Sequence, residues 1–429
     1  MNLRPGTGRL AVLLAVLAAL VMSPAAAGAQ DATGRPDLPG AQAAILIDAR
    51  DGGVLFQRDP DERRSIASTT KLMTALLTLE RAKPGDVYRA PAYNALPVES
   101  KIDLRAGERM RVDDLLEALL LESANDAAVT LAEGVSGSRA AFVRDMNARA
   151  RELGLTGTSY ANPIGLDDPG NYSTARDLAA LARRLMRNRR FASVVGMPVA
   201  NLESGARPRV VANRNDLIGQ YDFVDGVKTG HTGTAGYVLV GAAGGPLGAR
   251  VVSVVLGEPR EAARDTESLA LLRYGLAQFR RVRPLERSKP VASAAVQYFD
   301  ERVSLVPERD ALLVARRGQR VRTSVDAPAE LEGALPAGHP VGRITVLRGD
   351  QVVRRVRLVT ATEVPGAGPL RVIVGTLGIA LVPLLGALAL LVVALVVVIR
   401  RRPPPKAGSR RGDRDARRRD RDRERARVG

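Results

Sequence analysis

The sequence predicts an α/β (α+β) fold, followed by a small all-β domain and a membrane-spanning helix. Two apolar runs flank Asp51-Gly52-Gly53, which is typical of a β-hairpin. Helical periodicity begins at Ser68, and three strand-like runs return before Pro284. Because strands occur at both ends of this region, we expect one sheet with a block of helices packed against it.

The remaining elements follow from apolar spacing and capping residues. Helices are predicted over Ser68 to Arg81, Asp113 to Leu121, Asp126 to Gly134 and Arg139 to Leu153, then after Ser173 or Thr174, and finally over Glu261 to Arg281. Strands are predicted over Phe223 to Thr232, Gly236 to Ala243 and Arg250 to Leu256. Over residues 284–362, short stretches in which apolar and polar residues alternate predict the all-β domain. The first domain is therefore expected over residues 38–283.

Both ends of the chain carry membrane signals. Arg4 and Arg9 precede an apolar run and a small-residue stretch that ends at Ala29, which predicts a signal peptide over residues 1–29; an uncleaved anchor is the alternative. Residues 372–399 carry no charge and are long enough to cross a bilayer. The arginines that follow predict a cytoplasmic tail over residues 400–429, with the body of the chain outside a cell membrane that it crosses once.

Composition excludes several classes of function. The chain has no cysteine and only two histidines, which excludes thiolate chemistry and a histidine-rich zinc site; we expect no metal and no cofactor. Of the net charge of +18, the segment from Arg400 to Gly429 supplies +9, from 14 basic and 5 acidic residues. Aromatic residues are sparse, so the folded part is not expected to bind nucleic acid.

Lysine is rare in this chain, and two of the six lysines lie in short motifs. Lys71 closes Ser68-Thr69-Thr70-Lys71, and Lys228 opens Lys228-Thr229-Gly230. Three residues apart on a helix, Ser68 and Lys71 share a face, so a neutral lysine could take the serine proton. Burial and a nearby cation such as Lys228 would lower the pKa of Lys71. A cap is the more common role of a serine at a helix start.

Two further motifs make this pattern specific. Ser123-Ala124-Asn125 supplies a second hydroxyl and an amide at a break between two helices. Gly230 in a predicted strand would let a ligand approach the backbone closely. Three motifs of the forms S-x-x-K, S-x-N and K-T-G, in this order, are the pattern of penicillin-binding proteins and related β-lactamases.

Over residues 40–365 the chain resembles the D-alanyl-D-alanine carboxypeptidases among the low-molecular-weight penicillin-binding proteins, serine peptidase family S11. Further matching stretches are Asn162 to Leu166, Tyr172 to Asp177 and Val224 to Thr232. The resemblance implies the penicillin-binding/β-lactamase-like transpeptidase fold, with an antiparallel sheet and a helical block. It also implies that the all-β domain is the family's second domain.

The resemblance assigns the site as well. It implies that Ser68 is the nucleophile, Lys71 the general base and Ser123 a proton relay. Asn125 would bind the substrate amide, and the substrate carboxylate would be bound by Lys228, Thr229 and Arg264. The oxyanion hole would be formed by the backbone N–H groups of Ser68 and His231, beside Gly230. A Ser-His-Asp triad through the His231 ring is the less favoured alternative, because that position acts through its backbone in the family.

The implied activity is removal of the terminal D-alanine from peptidoglycan stem peptides, with β-lactams as inhibitors. A class A-like β-lactamase is an alternative, but Ala124 replaces the aspartate of that pattern and no glutamate for fast deacylation is evident. A catalytically idle wall-binding scaffold is the other alternative, and the intact motifs argue against it. The C-terminal segment departs from the family, in which many members use an amphipathic anchor.

Overall fold

The computed structural model describes residues 34–377 and 381–401, which divide into two compact units. The first contains the described residues up to Pro284 together with Leu312–Arg322 and Arg348–Asp350. The second contains Leu285–Ala311, Thr323–Leu347 and the described residues from Gln351 onward. The predicted signal peptide and most of the predicted tail lie outside the described residues.

A five-stranded antiparallel sheet forms the centre of the first unit. Its strands are β1 (Ala43–Asp48), β2 (Val54–Arg58), β7 (Val224–Thr232), β8 (Gly236–Gly244) and β9 (Arg250–Glu258), in the order β2-β1-β9-β8-β7. Short two-stranded ribbons pair β3 (Val87–Arg89) with β4 (Arg109–Arg111) and β5 (Val199–Leu202) with β6 (Arg209–Ala212). The predicted sheet built from both ends of the domain is confirmed.

The helices between β2 and β7 form the predicted block. They are α1 (Lys71–Arg81), α2 (Val112–Glu117), α3 (Asn125–Ser136), α4 (Arg139–Glu152), α5 (Ala175–Leu185) and α6 (Arg189–Val195). Thr174 caps α5 by accepting from the backbone N–H of Asp177, as predicted. After the sheet comes α7 (Glu261–Ala277). The prediction that this helix continues to Arg281 is wrong, because strand β10 (Phe279–Leu285) begins first.

Residues of β1 alternate between the two faces of the sheet, as the period of a strand requires. Ile45 and Ile47 pack into the core formed with the helical block, whereas Ala44 and Leu46 pack into a second core with Leu271 of α7. Burial of an aliphatic side chain of this size contributes about 1.5–3 kcal/mol. Strand β1 is therefore covered by apolar side chains on both faces of the sheet.

The segment after Pro284 is confirmed as strands, although the first of them begins earlier than predicted, at Phe279. They are β10, β11 (Ala292–Val296), β12 (Arg302–Pro307), β13 (Ala311–Arg316), β14 (Val321–Asp326), β15 (Glu330–Leu331), β16 (Pro340–Arg348) and β17 (Gln351–Thr360). Six of them form one sheet in the order β14-β16-β17-β12-β11-β15, while β10 pairs with β13.

Two helices end the described chain, α8 (Pro369–Leu377) and α9 (Leu381–Arg401). Within α9, the stretch Pro383–Arg401 is long and apolar enough to cross a membrane, judged by length and composition alone. The prediction of a membrane span depends on this length and apolar composition.

Candidate active site

Ser68 lies in a short 3₁₀ turn, Ala67–Thr70, that leads directly into α1. The helix predicted from Ser68 therefore begins as a 3₁₀ turn and becomes α-helical at Lys71. Ala67 adopts a φ of 46°, and Thr69 bonds back to the Ile66 carbonyl through both its N–H and its hydroxyl. This tight entry fixes the backbone at Ser68 and leaves its side chain half-buried at the start of the helix.

Lys71 is fully buried and contacts Ser68 directly. Its Nζ donates to Ser68 Oγ at 2.9 Å and to the Ile164 carbonyl at 2.5 Å. Burial lowers the pKa of Lys71 well below its usual value, and the positive charge of Lys228 lowers it further. A lysine held in this state loses its proton readily, so it can accept one from the hydroxyl beside it.

The loop that supplies the Ile164 carbonyl is held by its own side chains. Asn162 Oδ1 accepts from the backbone N–H groups of Ile164 and Gly165 at 3.3 and 2.7 Å, and Thr74 donates to the Pro163 carbonyl at 2.7 Å. Gly165 has a φ of 90°, and a Cβ there would lie 2.1 Å from the Ala67 carbonyl oxygen. Only glycine fits at this point, where the loop passes against the turn that carries Ser68.

Lys228 lies in β7 with 1% of its surface exposed. Its Nζ donates to the Thr229 carbonyl at 2.9 Å. Burial, together with the charges of Arg214 and Arg264, lowers the pKa of Lys228 to about 7. Lys228 is also one of the charges that lower the pKa of Lys71, as the sequence predicted.

Gly230 brings β7 against the nucleophile turn. A Cβ at Gly230 would lie 2.9 Å from the Ser68 backbone nitrogen and 3.0 Å from Ala67 Cβ. The ring of His231, the next residue, stacks on Tyr237 with 4.0 Å between centroids, and His231 is exposed. The ring is engaged with Tyr237, so this arrangement favours a backbone role for His231, as the resemblance implied.

Ser123 follows a turn of π-helix, Ala118–Glu122, and adopts a φ of 65°. Its Oγ is buried and has no hydrogen-bond partner among the described residues. Buried hydroxyls usually have a partner, and the exceptions concentrate at functional positions. The positive φ and the unpaired hydroxyl agree with the proton-relay role predicted for Ser123.

Asn125 begins α3 and is tied to the loop before β4. Its backbone N–H donates to the Ser100 carbonyl at 2.8 Å, and its side-chain Nδ2 donates to Glu99 Oε2 at 2.6 Å. The sequence did not single out Glu99, because a lone glutamate in a loop carries no motif. The Ile164 carbonyl was missed for a similar reason, although its stretch was among those that match the family.

Arg264, in the second turn of α7, is 2% exposed. Its Nε donates to Asp265 Oδ1 at 2.8 Å, and its Nη1 lies 3.1 Å from Glu261 Oε1. Its Nη2 also lies 2.8 Å from Asp265 Oδ1, but it has no well-aligned hydrogen bond within the described part of the chain. The guanidinium of Arg264 is thus paired with the carboxylates of Glu261 and Asp265, and its positive charge lowers the pKa of Lys228.

Comparison with known proteins assigns the family. Residues 30–260 match the model of the D-alanyl-D-alanine carboxypeptidase family, Peptidase_S11, and residues 279–366 match the penicillin-binding protein 5 C-terminal domain. The chain is 30% identical to D-alanyl-D-alanine carboxypeptidase DacF of Bacillus subtilis over 381 residues, which is 86% of this chain and 97% of DacF. It is 33% identical to DacA of Escherichia coli over 379 residues, 83% and 92% of the two chains.

A solved structure agrees with the sequence relatives. Penicillin-binding protein 5 from Haemophilus influenzae matches with a TM-score of 0.56 and 30% identity, covering 77% of this chain and 99% of its own. The expected transpeptidase fold with a C-terminal β domain is thereby confirmed. The chain belongs to the D-alanyl-D-alanine carboxypeptidase family of serine peptidases, Peptidase_S11, and carries that family's penicillin-binding protein 5 C-terminal domain.

Proposed function

We propose that this protein removes the terminal D-alanine from peptidoglycan stem peptides through an acyl-enzyme on Ser68, and that penicillins acylate the same hydroxyl. The observation that carries the proposal is the contact between Ser68 Oγ and the buried Lys71 Nζ at 2.9 Å. Since burial lowers the pKa of Lys71, the lysine can act as the base that a serine nucleophile requires.

In the acylation step, Lys71 Nζ takes the proton of Ser68 as Oγ bonds to the carbonyl carbon of the penultimate D-alanine. The backbone N–H groups of Ser68 and His231 stabilise the resulting oxyanion, and the close approach at Gly230 supports this pairing. The C–N bond then breaks, and the proton held by Lys71 passes through Ser123 to the leaving amine, which returns Lys71 to its neutral form. The unpaired Ser123 Oγ is free to make that transfer.

In the deacylation step, a water molecule attacks the ester carbonyl and gives its proton to the same base. The C–O bond to Ser68 breaks, Oγ regains a proton, and the shortened peptide leaves as a carboxylic acid. Lys71 can act as the base in both steps because it gives up its first proton before the water attacks, and it then returns the second proton to Ser68 Oγ.

Substrate binding is assigned to the residues around this centre. Asn125 holds a backbone amide of the peptide, and Lys228, Thr229 and Arg264 bind the terminal carboxylate. The two buried basic side chains, Arg264 and Lys228, support this assignment. Charge-assisted hydrogen bonds of this type contribute about 1.5–3 kcal/mol each.

The test measures D-alanine release from a pentapeptide that ends in D-alanyl-D-alanine, and the lifetime of a fluorescent penicillin label. We expect release by wild type, no release by Ser68→Ala, and a long-lived label on wild type alone. Rapid loss of the label without D-alanine release would instead identify a β-lactamase. Absence of both label and release would identify an idle scaffold.

The proposed architecture has a catalytic domain over residues 38–283 and a β domain over residues 284–362, outside a cell membrane that the chain crosses once. The apolar α9 and the arginines at its C-terminal end support this orientation. Protease added to intact protoplasts should remove the body and spare a tag placed after Gly429. Loss of the tag with an intact body would reverse the orientation.

A further inference from the structure

The loop before β4 places a carboxylate against the second catalytic motif. Glu99 Oε2 accepts from Asn125 Nδ2 at 2.6 Å and also from the hydroxyl of Tyr93. The other oxygen, Oε1, accepts from the backbone N–H of Leu96 at 2.9 Å. Three donors therefore converge on one side chain, and they lower the pKa of Glu99 even though its burial opposes this. Glu99 is ionised at neutral pH.

An ionised carboxylate accepts hydrogen bonds and donates none. The Asn125 carboxamide must therefore turn its NH₂ group toward Glu99, which directs its carbonyl oxygen away from Glu99. One N–H of the carboxamide is thereby held by Glu99, and the oxygen and the second N–H keep fixed positions for binding a peptide amide. Without Glu99, rotation of the carboxamide by 180° would exchange the acceptor for a donor.

The loop that carries Glu99 is itself fixed to α3. The Ser100 carbonyl accepts from the Asn125 N–H at 2.8 Å. The carboxylate of Asp126 accepts from the N–H groups of Ile102 and Leu104, the latter at 2.9 Å. The residues that follow Glu99 are thus hydrogen-bonded to the first turn of α3, which holds Glu99 beside Asn125, as preorganisation of a site requires.

We propose that Glu99 is a positioning residue for the carboxypeptidase reaction, fixing the one orientation in which the Asn125 carboxamide meets the substrate amide. This inference rests on the proposed role of Asn125 in substrate binding. Glu99→Ala removes the acceptor, and we expect acylation by penicillin and D-alanine release to fall roughly tenfold to a hundredfold. A misplacement of about 1 Å in a reacting assembly costs up to about 10²-fold.

Glu99→Gln is the conservative variant. Because Tyr93 and Asn125 both donate to the same oxygen, the single amide oxygen of glutamine can replace it, at the expense of the bond from Leu96. We expect this variant to recover most of the rate lost in Glu99→Ala. Val98→Ala, in the same loop with a side chain 91% exposed, is the matched control and should match wild type.

Glu99→Gln also predicts a change in the pH profile. The charged groups that act on Lys71 are Lys228, which lowers its pKa, and Glu99 and Asp126, which raise it. Loss of the Glu99 charge should therefore shift the acidic limb of the acylation profile to lower pH. A loop that is merely destabilised would lower the amplitude and leave the limb in place.

The closing experiment is a double-mutant cycle of Glu99→Ala and Asn125→Ala, read by acylation rate with fluorescent penicillin. If Glu99 acts through Asn125, its removal should cost less than about threefold once Asn125 is alanine. If the rate losses of the two single variants multiply in the double variant, or if Glu99→Ala is as fast as wild type, the inference about Glu99 is overturned. Labelling of wild type in the same experiment would still uphold the proposed function. An unlabelled wild type would overturn both.

Discussion

Gly230 approaches Ser68 so closely that a Cβ at Gly230 would lie 2.9 Å from the Ser68 backbone nitrogen. The same Cβ would lie 2.9 Å from Val238 Cγ2 on the adjacent strand and 3.0 Å from Ala67 Cβ. Strand β7 and the nucleophile turn are thus in contact through a residue that has no side chain. This contact sets the spacing between the two N–H groups of the proposed oxyanion hole.

Gly230→Ala should therefore push β7 away from Ser68 and lower the acylation rate. Loss of one oxyanion-hole donor costs about 10²–10³-fold, so we expect a fall of this order, measured by stopped-flow labelling with penicillin. Gly233→Ala is the matched control, since a Cβ there meets nothing within 4 Å. Equal rates for the two variants would remove the Gly230 contact from the mechanism.

Arg264→Ala should lower kcat/KM for the peptide about tenfold to a hundredfold, because a charge-assisted hydrogen bond to the terminal carboxylate is lost. Amidation of the peptide C-terminus should then harm wild type far more than the variant. The two substrates are compared by D-alanine or D-alaninamide release at the same enzyme concentration. If amidation harms both enzymes equally, Arg264 does not bind the carboxylate.

A buried carboxyl group predicts how stability depends on pH. Glu258 is fully buried, and its carboxyl group lies against that of Glu267, with which it shares a hydrogen bond when protonated. Burial and the neighbouring carboxylate of Glu267 raise the pKa of Glu258 from 4.5 to about 8. The pKa of Glu258 is higher in the folded protein than in the unfolded chain. The contribution of its neutral carboxyl group to stability is therefore complete below pH 4.5 and is lost as the pH rises through 8.

Glu258→Gln should consequently raise Tm at pH 9 and change it little at pH 4, as measured by calorimetry. A gain of about 1 kcal/mol corresponds to roughly 2–4 °C at this domain size. Glu267→Gln should lower Tm instead, because its two oxygens accept from the backbone N–H groups of Gly40 and Ala41. A gain from Glu258→Gln that is the same at both pH values would contradict the assigned titration.

The sequence was sufficient to predict the sheet, the helical block and the main site motifs, because these depend on local patterns. Ser68 and Lys71 are neighbours on one helical surface, so their contact follows from spacing alone. Glu99 and the Ile164 carbonyl come from loops, and their places depend on tertiary contacts that leave no periodic signal. The predicted end of α7 was too late because only one residue, Gln278, separates the helix from the next strand, so no break in the sequence separates the two elements.

The central claim is that Lys71 takes the proton of Ser68, and its most direct test compares two lysine-to-arginine variants at neutral pH. Arginine keeps its proton at any working pH, so Lys71→Arg should abolish acylation by fluorescent penicillin. Lys228→Arg keeps a positive charge near the carboxylate and should leave a measurable rate. General-base catalysis contributes about 10²–10⁴-fold, so the two rates should differ by this order. With both variants shown to be folded by thermal melting, a Lys71→Arg enzyme that labels as fast as wild type would contradict the mechanism.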